Sequence, residues 1–229
     1  MISRAFPLLA WLPAMLMPIL ACQARDEPGC EVSVAALSLP DDSDGLLHWR
    51  TADSATTPLQ LSTRYFSEPV KVQGQAIGFY KDPVPAGPPP PDAPEPLLSV
   101  RIPADKGRVF IVLWSEPDGN NQPRWQGKCI TAEEWRPSSM KVINSSAEPV
   151  GIAAGDKRIQ LPPGRSVDFR AAEWRQSFPV KIFQLEPELK TIFSSSWRVT
   201  AGRRELCLIG NVNGAVSLRS LLELTPPER

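Results

Sequence analysis

His48 is the only histidine in the 229-residue chain, and that scarcity limits the available chemistry. Ser-His-Asp and Cys-His catalysis both need a histidine held by a third group. His48 lies between Leu47 and Trp49 in a β-type run, and no serine sits in a nucleophile elbow, so it reads as structural. Zinc sites of the usual kind need spaced clusters of His and Cys. The four cysteines, Cys22, Cys30, Cys129 and Cys207, show no such spacing, and neither a metal nor a cofactor is expected. Three acids crowd residues 41–45, "DDSDG", but the stretch lacks the spacing and distal glutamate of a calcium loop and reads as a solvated linker. Glu133, Glu134 and Glu173 remain as carboxylates, with no cleft implied around them. Glycines fall singly at turns, not in a phosphate-binding loop.

Tryptophan and arginine are neighbours at Trp49-Arg50, Arg124-Trp125, Trp135-Arg136, Trp174-Arg175 and Trp197-Arg198. Adjacent strand residues face opposite ways, so the strand pairs should put Trp in the core and Arg in water. Trp135 and Trp174 differ, because "AEEWRP" and "AAEWRQ" fall between strands. There Trp135 with Arg136, and Trp174 with Arg175, are candidates to stack on a sugar ring or hold a carboxylate. Core packing is the competing reading.

The elements that must position these residues are short strands. Proline is abundant, at 26 residues, and β-type runs alternate with breakers such as "EPDGNNQP", "AAGD" and "LPPGR". The pattern predicts an all-β chain of two tandem antiparallel β-sandwich (Ig-like) domains after a signal peptide. The boundaries are 1–22 for the signal peptide, 23–44 for a linker or edge strand ("CEVSVAAL"), 45–136 for the first sandwich and 137–229 for the second. A proline-rich loop, 82–96, interrupts the first; it should be extended polyproline II, either projecting as a ligand or lying on the surface. The halves read as copies. Gln60-Leu61 corresponds to Gln160-Leu161, "IGFY" from Ile77 to "VKIF" from Val180, and "VRIPADKGRVFIVLWS" to "WRVTAGRRELCLIGN". Within "RVFIVLWS", Val109, Ile111 and Leu113 alternate with Phe110, Val112 and Trp114, and both sets are apolar. Phe110, Val112 and Trp114 therefore form an interface awaiting a cover: the other domain, the proline-rich loop or a partner.

Address is read from the start of the chain. Arg4 and the uncharged run 5–21 form a secretory leader, slightly short for a membrane span and broken by Pro7, Pro13 and Pro18. "ILAC" is similar to a bacterial lipobox, which implies cleavage before Cys22 and acylation of its thiol; Leu20 departs from the usual small residue. Gln23 follows, where an aspartate would argue for inner-membrane retention. The competing reading is a cut after Ala21 or Ala24 and a soluble exported product. Basic and acidic residues balance at 25 each, which argues against nucleic-acid binding and leaves contact with the membrane to the lipid tether.

From Met140 the run "MKVINSSAEPVGIAAGDKRIQLPPG" resembles the opening of bacterial envelope β-sandwich domains of unknown function. The resemblance covers about half the chain, rests on turn chemistry and implies no activity. The expectation is a non-catalytic cell-envelope protein of the periplasm or outer envelope that binds a protein partner. The alternatives are a cell-wall glycan module using Trp135 and Trp174, and an enzyme working through carboxylates alone.

Overall fold

The computed structural model describes residues 29–40, 43–51, 54–88, 94–103, 107–117, 123–185, 188–212 and 215–223. Cys22 and the leader lie outside these residues, as do Asp41, Asp42 and the centre of the proline-rich stretch. Every regular element described is a β-strand. The first sandwich holds β1 (Cys30–Ala36), β2 (Leu46–Thr51), β3 (Thr57–Gln60), β4 (Val70–Val72), β5 (Ala76–Tyr80), β6 (Leu98–Arg101), β7 (Arg108–Pro117) and β8 (Pro123–Thr131). The second holds β9 (Ser139–Asn144), β10 (Val150–Ala154), β11 (Lys157–Leu161), β12 (Ser166–Arg170), β13 (Phe178–Gln184), β14 (Lys190–Trp197), β15 (Arg204–Val212) and β16 (Ala215–Leu222).

The two sandwiches share one plan. In the first, an inner sheet β4-β1-β7-β8 packs on an outer sheet β3-β2-β5-β6; in the second, β12-β9-β15-β16 packs on β11-β10-β13-β14. The three sequence correspondences fall on equivalent strands: β3 with β11, β5 with β13, and β6–β7 with β14–β15. The ladders are antiparallel except that the opening strand of each sandwich runs parallel to the seventh, β1 with β7 and β9 with β15. Turn chemistry fixes local registers. Gly155, at φ +51°, takes the first position of the two-residue turn between β10 and β11, a left-handed conformation that costs glycine little.

One boundary needs correction. β1 is not an edge strand or linker: it lies between β4 and β7, so the first sandwich begins at Cys30. Its composition explains the position. Val32, Val34 and Ala36 enter the first core, while Ala35 and the following Leu37 face the opposite way and are also buried. A strand covered on both faces loses strict polar alternation.

That second covered face belongs to a third core, shared by the sandwiches. Ala35, Leu37, Phe66, Phe110, Val112, Ile130 and Trp135 from the first meet Ile143, Leu206, Leu208 and Leu221 from the second. Phe110 and Val112 are 0% exposed and Trp114 packs at the margin, so the cover over this face is the other domain. The inner sheets thus lie face to face between the outer ones, in four layers. Arg108 and Arg204, which open β7 and β15, bind the same carboxylate, Glu223. Toward the other end, a Cβ on Gly210 of β15 would lie 3.9 Å from Leu37 Cδ2. The inner strands therefore run the same way in both halves. Their lateral order is reversed: Tyr65, leading into β4, bridges Leu222 of β16, and Glu133 beyond β8 shares a pocket with Asp168 of β12. An approximate twofold axis along the strands relates the halves.

Candidate functional site

Trp135 and Trp174 arise from the same local device and meet different fates. Each closes a single turn after a strand: the Trp135 amide donates to Thr131 O at 3.1 Å, and the Trp174 amide to Arg170 O at 3.0 Å. In the first turn Thr131 and Glu134 cap each other. Glu134 Oε2 accepts from the Thr131 amide at 2.9 Å, and the Glu134 amide donates to Thr131 Oγ1 at 3.2 Å. This turn aims Trp135 into the shared core, where it is 0% exposed and packs edge-on against Phe110 at 4.8 Å. The expectation of a partly exposed Trp135 is overturned; no sugar ring can reach it. Trp174 is half-buried, 4.0 Å from the Phe178 ring, with Lys157 Nζ 5.1 Å from its ring centre. Arg136 and Arg175 are exposed. Trp135 and Trp174 belong to different hydrophobic cores, so the structure does not assemble them into one binding surface.

The junction is held by a buried ion cluster that the sequence did not signal. Glu223, with 5% of its side chain exposed, binds Arg108 Nη1 at 2.7 Å and Arg204 Nη1 at 2.8 Å. Arg204 Nε also donates to Trp135 O at 2.7 Å. Both guanidinium groups lie over Phe110, 5.0 and 5.5 Å from its centre. These bonds join charges from both sandwiches in a low-dielectric setting, where each partner depends on the others. Beside the cluster, Glu133, Arg136, Pro137, Ser138, Asp168 and Arg170 help line a polar pocket of about 360 Å³. Asp168 there is engaged by Lys141 Nζ at 2.9 Å, and Glu134 by its cap.

A cleft of about 570 Å³ opens along one side of the first sandwich. Its walls include Trp49, Thr51, Ser54 and Thr57 on one side and Val70, Lys71 and Gln73 on the other. Two strands at sheet edges, β3 and β4, flank it. On the outer face nearby, Arg50 is buried (8% exposed) although its partner Trp49 fills the core. The reason is a cover: the Arg50 guanidinium lies 5.5 Å from the Tyr80 ring centre, and Nη1 donates to Pro85 O at 3.2 Å. Val84 is buried as well, exchanging bonds with Thr56 through its N–H to Oγ1 at 2.8 Å and its carbonyl to the Thr56 amide at 3.0 Å. The start of the proline-rich stretch therefore lies folded on the outer sheet and does not project.

His48 pairs across the sheet with Pro58 and Tyr80, and its buried Nδ1 has no hydrogen-bond partner among the described residues. No group of three or more His, Cys, Asp or Glu side chains among the described residues is arranged to hold a metal ion. Cys30, Cys129 and Cys207 are free thiols. Cys30 is on β1 and Cys129 on β8, with β7 between them, which sets their strands about 10 Å apart, beyond a disulfide's reach. Burial pushes the Cys129 thiol up to about 11, with Cys30 and Glu134 adding to the shift. Burial raises Cys207 further, and Cys30 to a lesser degree. A raised thiol holds little thiolate near neutral pH and is a poor nucleophile. Asn144 is buried inside a turn: its Nδ2 donates to Glu148 O at 2.8 Å and Leu161 O at 2.9 Å, while Oδ1 accepts from the Ser146 amide and hydroxyl. Its "NSS" is a structural staple. No protein-family model and no curated protein matches the chain.

Proposed function

We propose that this protein is a non-catalytic module of the cell envelope, held to a membrane through Cys22, that binds a protein partner. The observation that carries the reading is the use made of the apolar faces. Both inner sheets spend them on each other, and the charged groups nearest the junction are engaged in holding it. What the body offers outward is main chain and polar relief: an open cleft between sheet edges in the first sandwich and, in the second, an outer sheet with Arg158, Lys181 and Ser194 exposed. Such surfaces suit recognition of another chain by strand pairing and shape.

The test is cross-linking at native expression, followed by purification of the complex from the envelope. A specific, stoichiometric protein partner is the expected result, and repeated recovery of the uncomplexed protein would remove the reading. The mass of the mature protein tests the tether separately. A diacyl or triacyl addition on Cys22 is expected; an unmodified chain would mean release.

A further inference from the structure

A β-sheet edge presents unpaired N–H and C=O groups, and proteins commonly blunt such edges with short length, proline or charge. Seven of the eight edges in this fold follow that rule. β3 contains Pro58, β4 and β6 have three and four residues, and β8, β11, β12 and β16 carry Lys128, Arg158, Asp168 and Arg219 within the strand. β14 does not. It has 8 residues, and after Lys190 the remainder, "TIFSSSW", holds neither charge nor proline. A bulge interrupts its start, between Ile182 and Phe183 of β13, but from Phe193 to Trp197 the ladder is regular. Ser194, Ser195 and Ser196 are exposed along that stretch, and no strand pairs with the far side of β14 among the described residues.

The same sheet has a sign. Its four strands carry Lys157, Arg158, Lys181 and Lys190 and not one carboxylate. Lys157 is engaged by Glu173 at 3.6 Å, and Arg158 donates to the carbonyls of Gly155 and Lys157. Arg158, Ala153, Lys181 and Ser194 stand side by side across the sheet, so this row of cations leads to the open edge at Ser194. Phe183 lies on the same face, half-buried and opposite Thr191. A residue added beyond Ser194 would continue the row, within reach of the long Lys181 side chain.

We propose that β14 is a docking edge for an extended segment of a partner protein, added as a fifth strand, with acidic side chains at the alternate positions that face Lys181. This rests on the partner-binding reading above and names its site and chemistry. The main chain supplies the pairing, and the cations select the sign of the side chains.

The test uses the mature chain and two acetylated, amidated decapeptides, one alternating valine with glutamate and one valine with lysine. Amide exchange from Phe193 to Trp197 should slow about tenfold with the glutamate peptide, and the lysine peptide should bind about tenfold more weakly. Lys181→Glu should reverse the preference. Ser194→Glu, at an exposed position, should weaken the glutamate peptide while the amides of β9 and β15 keep their protection, which shows that the fold is intact. Equal binding of both peptides, unchanged exchange in β14, or protection confined to the cleft between β3 and β4 would overturn the proposal. Photo-cross-linkers at Ser194, Gln73 and Arg136 in the native envelope separate the two readings. An adduct at Ser194 that Lys181→Glu removes supports the site. Adducts only at Gln73 or Arg136 keep the partner but remove β14, and none at any position removes both.

Discussion

The inner and outer sheets of the two sandwiches repeat one strand order, but the outer sheets differ in their cover and their edge strands. In the first, the chain between β5 and β6 folds back so that Val84, Pro85 and Tyr80 bury Arg50 against the sheet. In the second, the equivalent connection is short, and the outer sheet ends in the long β14, whose one charge is Lys190 at its start. The difference teaches where a duplicated sandwich is free to change. A face shared by two copies must stay apolar in both, because each supplies the other's cover. An outer sheet answers only to its own core and to whatever binds it.

Damage to the shared face should hurt most. Trp135→Ala should destabilise the chain by about 3–5 kcal/mol and uncouple the sandwiches, seen as two denaturant transitions in place of one. Trp135→Phe should cost clearly less, since the buried indole N–H has no acceptor among the described residues. Glu223→Gln should cost about 3 kcal/mol by leaving Arg108 and Arg204 short of their shared carboxylate, and its effect should shrink once Trp135 is already Ala. Asn144→Ala should cost about 2 kcal/mol, through the loss of its bonds to the Leu161 and Glu148 carbonyls and to Ser146, and fall on the second sandwich alone.

The cover on the first outer sheet should prove less costly to disturb. A Cβ on Gly78 would lie 2.9 Å from Tyr80 Cε2, so Gly78→Ala should displace that ring and speed proteolysis within residues 82–88, for about 1–2 kcal/mol. The smallest effect is a pH dependence. The Cys129 thiol is raised in the fold from 9.0 to about 11, so the unfolded chain loses its proton first. Stability from this group is complete below pH 9.0 and is lost as pH rises toward 11; Cys129→Ala should make the slope of unfolding across the range shallower, leaving the part that the raised Cys30 and Cys207 contribute.

Much of the architecture was legible because strand chemistry is local. Alternating apolar runs and Gly- or Pro-bearing turns marked the strands, and the duplication showed in matched runs that occupy equivalent strands. The apolar side chains Phe110 and Val112 announced a covered face, though only the structure shows that the cover is the other sandwich. What stayed hidden depends on distant partners. β1 is central because β7, some 77 residues later, lies parallel to it. Turns with the same backbone bond precede Trp135 and Trp174, and their surroundings decide that one is a plug and the other half-open. Glu223 carries no local signal of its two arginines.

The parallel pairing of first and seventh strands has a geometric outcome. Gly29, the connection through residues 132–138 and Glu223 gather at one pole, while the ends of β7 and β15 lie toward the opposite pole. If Cys22 is acylated, as proposed, the chain from it to Gly29 can span at most about 25 Å. A tether that short would keep the pole at Gly29 near the lipid and leave the far ends of β7 and β15 to reach outward.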